Sequence, residues 1–133
     1  MFSVIREIHF SYGHRVLGHK GPCGYLHGHN GRAQIEVSSA TLDELNMVVD
    51  FAKIKETIGS WIKAHFDHRM ILWSQDPLHQ VLKQAGEPVV VTEENPTAEA
   101  LAKLIYQEAK RLQLPVTKVI LWETENSCAS YHE

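Results

Sequence analysis

No stretch of this sequence stays apolar over the roughly 20 residues that a membrane-spanning helix needs. Its opening, Met1-Phe2-Ser3-Val4-Ile5-Arg6, lacks the basic-then-apolar order of an export signal. Cysteine is scarce, with 2 in 133 residues, which excludes a disulfide framework and points to a reducing, cytoplasmic setting. No cluster of Lys and Arg is long enough to track a phosphate backbone, and the formal net charge is -3, so a general nucleic-acid binder is excluded. A Gly-x-Gly-x-x-Gly dinucleotide fingerprint is absent, as are repeats, low-complexity tracts and linkers. With 44% hydrophobic and 22% charged residues, the sequence reads as one domain over residues 1–133, long enough to bury a core. What it has in excess is histidine, 9 in all.

Two of these histidines organise the rest. In Cys23-Gly24-Tyr25-Leu26-His27-Gly28-His29-Asn30 they flank a single glycine. Residues two apart on a strand point to the same face, so His27 and His29 would present both imidazoles together. Downstream, Ala33, Ile35 and Val37 share their parity while Gln34, Glu36 and Ser38 alternate against it, so the histidines continue an apolar face. Gly28 between them would allow a close approach of backbone or substrate.

Along the chain, residues 2 to 12 alternate as a strand, with Phe2, Val4, Ile8, Phe10 and Tyr12 on the apolar parity and Arg6 as its exception. His14 shares that parity just beyond. Gly13, Gly18, Gly21, Pro22 and Gly24 mark a long loop carrying Cys23, and a second strand runs over about residues 30 to 39. Asp50 caps a first helix whose apolar face is Phe51, Ile54, Ile58, Trp61, Ile62, His65 and Phe66. Residues 70 to 73 form a short strand, 74 to 88 a loop or weak helical turn, and 88 to 91 another extended piece. A second helix starts with Asn95 as cap, Pro96 at the first position and Glu99 in the first turn, burying Ala98, Leu101, Ala102, Ile105, Ala109 and Leu112. Residues 116 to 122 are a strong strand, and 128 to 132 an edge strand. The order predicts an α+β sandwich, an antiparallel sheet with two helices on one face.

His27 and His29 supply two metal ligands, and His14, ending a strand that should pair with the one after His29, is the best third. Three protein ligands with an open position fit a catalytic site. Imidazole suits zinc, iron and copper, with zinc favoured. Cys23 reads in three ways: an inert loop thiol, a fourth ligand that would close the site into a structural one, or a base whose thiolate removes a proton beside the metal. Asp67-His68 is either a solvated helix end or a dyad in which the carboxylate orients the imidazole. Glu123 ends an apolar strand, and reads either as an exposed strand end or as an anchor accepting two hydrogen bonds from an amidine-like heterocycle edge. His9 should be exposed, His65 packed on the first helix, and Cys128 a small buried residue.

His14-Arg15, Cys23-Gly-Tyr-Leu-His27-Gly-His29, Val49-Asp50-Phe51, Asp67-His68, Glu94-Asn95-Pro96-Thr97 and Glu123-Thr124 followed by Tyr131 together resemble the 6-pyruvoyltetrahydropterin synthase family over essentially the whole chain. The short N-terminus and the Cys-x-x-Leu-His-Gly-His form are most similar to its bacterial branch that makes 6-carboxytetrahydropterin for queuosine. The resemblance implies a T-fold (tunnelling fold) whose sheets join into a barrel, a hexamer of two trimers, and active sites between subunits. It implies zinc on His14, His27 and His29, Cys23 as base, Asp67-His68 as a dyad supplied across the interface, and Glu123 as pterin anchor helped by Thr92 and Glu94. The implied substrate is 7,8-dihydroneopterin triphosphate. Formation of 6-pyruvoyltetrahydropterin, or an aldol-type side-chain cleavage, is the alternative chemistry. A closed zinc site that only staples the loop is the non-enzymatic one. Tyr12-Gly13 departs from the small residues usual before the first ligand, and Arg69-Met70-Ile71-Leu72 from the usual leucine-asparagine pattern after the dyad.

Overall fold

A computed structural model describes all residues, 1–133. Two long strands, β1 (Phe2–His14) and β2 (His27–Ser39), pair antiparallel over their full length, from Phe2 opposite Ser39 to His14 opposite His27. Both strands extend further than the alternation suggested. The ladder continues to the loop end, and this draws Gly13, His14 and the His-Gly-His segment into regular strand. The predicted parity is the observed one: Ala33, Ile35 and Val37 are wholly buried, and Phe10 and Tyr12 nearly so.

The first helix begins as predicted, with the Asp50 side chain accepting the Ala52 N–H at 2.8 Å. It runs as α1 (Phe51–Ile54), a π-helical turn (Lys55–Gly59) and α2 (Ser60–His65). The reason lies in the spacing of its core residues. Ile54, Ile58, Ile62 and Phe66 are all buried and recur every four residues. At 3.6 residues per turn such a row drifts by about 40° per step. The wider π turn absorbs the drift and keeps all four on the sheet. Phe51 is exposed, and His65, expected to be packed, is exposed as well, though its ring stacks on Trp61 with centroids 4.8 Å apart.

Then follow β3 (Arg69–Trp73), α3 (Leu78–Gln84), β4 (Val89–Thr92), α4 (Ala98–Arg111), β5 (Val116–Thr124) and β6 (Ser127–Tyr131). The strand order is β4-β3-β1-β2-β5-β6. The α+β class holds, but the sheet is mixed rather than wholly antiparallel. β3 pairs parallel with both β1 and β4: the first helix, between β2 and β3, carries the chain along the sheet before β3 starts beside Tyr12, and α3 does the same between β3 and β4. The segment read as a loop or weak turn is therefore a short crossover helix, making three helical segments in place of two.

The cap of α4 is Thr97, whose hydroxyl accepts the Ala100 N–H at 3.2 Å, and not Asn95. Leu101, Ala102, Ile105 and Ala109 are buried against the sheet as expected. The opposite face of the sheet is polar. Arg32 Nη1 donates to Glu7 Oε1 at 2.6 Å, and Trp122 Nε1 donates to Gln34 Oε1 at 3.2 Å. Cys128, expected to be buried, lies exposed because it pairs with Trp122.

Candidate active site

Because β1 and β2 end together, His14 pairs with His27 and Tyr12 with His29. The three imidazoles converge, with ring centroids 4.6 to 5.0 Å apart, and one nitrogen from each lies within 4.8 Å of the others. Two of the rings are oriented from behind. His14 Nδ1–H donates to the Pro96 carbonyl at 2.7 Å, and His27 Nδ1–H to the Tyr25 carbonyl at 2.7 Å. A carbonyl can only accept, so each contact fixes a tautomer that leaves Nε2 as a lone pair, the arrangement that metal-binding histidines use.

His14 Nε2 and His29 Nε2 lie 3.1 Å apart. Ligand nitrogens about 3.3 Å apart are what a tetrahedral ion with bonds of roughly 2.0–2.1 Å requires, so the spacing of this pair fits such an ion. Burial pushes His14 down to about 4; the Pro96 contact opposes this and His27 and His29 add to it. Burial also lowers His29, with Glu123 working against it. His14 is therefore neutral at pH 7, as a ligand must be. Glu123 Oε1 lies 3.8 Å from His14 Nε2 and 4.0 Å from His29 Nε2.

Cys23, in the 3₁₀ turn Pro22–Gly24, is exposed and unpaired with any other cysteine. Its loop is tied to the end of β1, since Val16 N–H donates to the Cys23 carbonyl at 2.8 Å. Cys23, His14, His27 and Glu123 line one cavity of about 350 Å³, with His19 and the start of α4 at Thr97 and Glu99. No Lys or Arg lines it, so it suits a cation or a ring edge rich in N–H donors and not a polyphosphate.

Asp67 and His68 form a dyad. His68 Nδ1 lies 3.0 Å from Asp67 Oδ2, and Ser11 N–H donates to Asp67 Oδ1 at 2.9 Å. Burial raises Asp67, but the Ser11 bond and His68 outweigh it and hold the carboxylate below its usual range. His68 adopts a left-handed φ of 58° and its side chain is 80% exposed. The dyad does not line the cavity that holds Cys23; Asp67 and His68 line a second cavity together with His29 and Glu123, and His68 a third with His27 and His29.

Thr92 and Glu94 also lie elsewhere. Thr92 is buried with its hydroxyl donating to the Glu94 carbonyl at 2.6 Å, while the Glu94 carboxylate points to Lys103 at 3.9 Å. They line a separate cavity of about 250 Å³ against α4.

Over residues 3–133 the sequence matches the family model described as 6-pyruvoyl tetrahydropterin synthase. The chain belongs to this family. It is 36% identical over 133 residues to the 6-carboxy-5,6,7,8-tetrahydropterin synthase of Rickettsia bellii, covering 95% of this chain and 96% of the relative. To the enzyme of the same name from Aquifex aeolicus it is 37% identical, covering 84% and 76%. Its fold matches that of an uncharacterized protein from Wolinella succinogenes with a TM-score of 0.82, at 24% identity and 99% and 98% coverage. The 6-pyruvoyl tetrahydropterin synthase of Caenorhabditis elegans matches with a TM-score of 0.74, at 24% identity and 99% and 95% coverage. The architecture is thus the T-fold of this family.

Within that fold, several residues that sequence reasoning missed or misread hold the family motifs in place. Asn95, read as a helix cap, bridges instead to the loop after β1: its Nδ2 donates to the Leu17 carbonyl at 3.0 Å and its Oδ1 accepts the Leu17 N–H at 3.2 Å. With Pro96 on His14, the Asn-Pro pair clamps both the first histidine and the chain that follows. Arg15 is held by the buried Asp76, which accepts from its Nε at 2.7 Å and its Nη2 at 2.6 Å. Nothing around Asp76 in the sequence signals this. Tyr12 packs at 5.2 Å from His14 and 5.5 Å from His29, and its buried hydroxyl has no hydrogen-bond partner. Such a group costs about 1–3 kcal/mol. Burial, and then the charge of Glu123, push the Tyr12 phenol well above its usual range.

Proposed function

We propose that the chain is a zinc-dependent 6-carboxy-5,6,7,8-tetrahydropterin synthase. It would take 7,8-dihydroneopterin triphosphate and water to 6-carboxytetrahydropterin, acetaldehyde and triphosphate. One observation carries this reading: three imidazoles converge, and two of them, His14 and His27, share with the free Cys23 thiol and the Glu123 carboxylate a cavity that no Lys or Arg lines. The names of the relatives, over nearly the whole chain, supply the reaction.

His14, His27 and His29 hold the metal, each through one ring nitrogen. Bound zinc supplies a Lewis acid that polarises a side-chain oxygen and so acidifies the neighbouring C–H. Cys23 takes that proton as a thiolate, in the cavity beside the histidines. Glu123 accepts two N–H bonds from the amidine-like edge of the pterin and sets the distance between ring and metal. Asp67 holds His68 in one tautomer with Nε2 directed outward, ready to exchange a proton with the substrate side chain. In this reading the protein is a homo-hexamer of two trimers working in the cytoplasm, and His68 serves the site of a neighbouring subunit. Thr92 and Glu94 shape the approach to α4 and act on the pterin only indirectly.

Product analysis tests the reading. Incubating zinc-loaded protein with 7,8-dihydroneopterin triphosphate should give 6-carboxytetrahydropterin by mass spectrometry, with one acetaldehyde per pterin. A product that keeps all three side-chain carbons would overturn it in favour of a 6-pyruvoyltetrahydropterin synthase.

A further inference from the structure

Tyr12 is the residue of this site for which the proposed chemistry has no use. It is 3% exposed, and its hydroxyl is buried without a partner, whereas most buried hydroxyls have one. A phenylalanine would fill the same space without that cost. The ring lies over Gly31, where a Cβ would come within 2.9 Å of Tyr12 Cε1. The missing side chain at position 31 is what lets the ring cross β2. The β2–β5 pairing ends at Arg32 opposite Trp122, the residue before Glu123. The ring therefore reaches from β1 over β2 at the end of its pairing with β5, the strand that carries Glu123.

Tyr12 and Glu123 also flank the same two imidazoles. The ring is 5.2 and 5.5 Å from His14 and His29, and Glu123 Oε1 is 3.8 and 4.0 Å from their Nε2 atoms. The charge of Glu123 acts on the phenol. With Glu123 leaning towards the histidines, the hydroxyl is left over.

We propose that Tyr12 is a positioning residue whose hydroxyl donates to the Glu123 carboxylate when that carboxylate turns away from the histidines to receive the substrate's ring. The donor stays buried and dry, so the bond it makes to a charged acceptor is a strong one. The proposal rests on the anchor role of Glu123.

The test uses the full-length, zinc-loaded protein with Tyr12→Phe, Glu123→Gln and the double variant. Affinity for neopterin is read from its fluorescence, KM and kcat from turnover of dihydroneopterin triphosphate, and stability from melting. Tyr12→Phe should weaken neopterin binding and raise KM about tenfold, the size of one lost hydrogen bond to a charged group. Zinc content should stay full, and the melting temperature should hold or rise, because an unpartnered hydroxyl has gone. In the Glu123→Gln background, the same change should have a clearly smaller effect. Unchanged affinity in Tyr12→Phe, or an equal loss in both backgrounds, would overturn the proposal. If Glu123→Gln itself leaves affinity unchanged, the anchor reading fails, and the positioning role fails with it. A loss in Glu123→Gln with none in Tyr12→Phe sinks the positioning role alone.

Discussion

Replacing Asp76 with asparagine isolates the ion pair that holds the chain just after the first histidine. Asp76 is 1% exposed and accepts two bonds from Arg15, at 2.7 and 2.6 Å, and a third from the Leu78 N–H at 3.0 Å. Asparagine keeps the shape and can keep the Leu78 bond. It loses the charge and turns one acceptor towards Arg15 into a donor. Bonds to charged groups contribute about 1.5–3 kcal/mol each. The Arg15 side chain is 23% exposed and recovers part of that from water. A net loss of about 2 kcal/mol follows. For 133 residues the entropy of unfolding is about 0.28 kcal/mol/K, so the melting temperature should fall by about 7 °C. The loss also has a sign in pH. Arg15, then the Leu78 bond, outweigh burial and hold the Asp76 carboxyl below its usual range. A group depressed in the folded state stabilises above its unfolded pKa, about 3.9, and the contribution is lost as pH falls through the folded value. The gap between wild type and Asp76→Asn should be full at pH 6 to 7 and close below about pH 4, read by urea titration at each pH. A melting shift under about 2 °C at neutral pH would refute the reasoning and place the pair among ordinary surface ion pairs.

Cys23→Ala should keep one zinc per chain by metal analysis while turnover falls by about 10²–10⁴, the range for losing a positioned base; full activity would remove the thiol from the chemistry. His27→Ala should fail to retain zinc through dialysis against a weak chelator under conditions where Cys23→Ala retains it, and equal retention would mean the three histidines are not the ligand set. Cys23→Ala and His68→Ala, each inactive alone, should recover activity when unfolded and refolded as a mixture, since mixed assemblies contain sites built from the two intact halves; no recovery would place the dyad outside the neighbouring site. Thr97→Ala removes the cap on Ala100 N–H and should cost about 1 kcal/mol, or 3 to 4 °C in melting temperature.

The features legible in the sequence are those written in short-range periodicity. Alternation over Arg32 to Ser38 fixes which face of β2 is apolar, and two residues per step carries that face back to His29 and His27. The α+β class follows from the same alternation and from two helical patterns. The parallel strands β3 and β4 do not, because 5 and 4 residues are too few to show alternation, and the direction of pairing is decided by the crossover between them. The π turn was hidden in plain view, since a fourfold repeat of Ile54, Ile58, Ile62 and Phe66 satisfies a helical reading until its drift is summed. The site divides along the same line. Its three histidines come from one hairpin and could be named; what aims them could not. The carbonyl that fixes His14 belongs to Pro96, 82 residues away. Asn95-Pro96 looks like a helix start because proline suits that position, yet the helix needs only Thr97, and the two residues before it serve Leu17 and His14 instead. The loop after β1 must therefore close on the α4 start before His14 acquires its tautomer. This makes metal affinity a readout of a contact between distant parts of the chain. Asn95→Ala, which touches no ligand, should accordingly lower zinc affinity by about 10- to 100-fold, the cost typical of losing an outer partner of a metal site. Competition against a chromophoric chelator measures it, and an affinity equal to wild type would show that the histidines hold their geometry without the clamp.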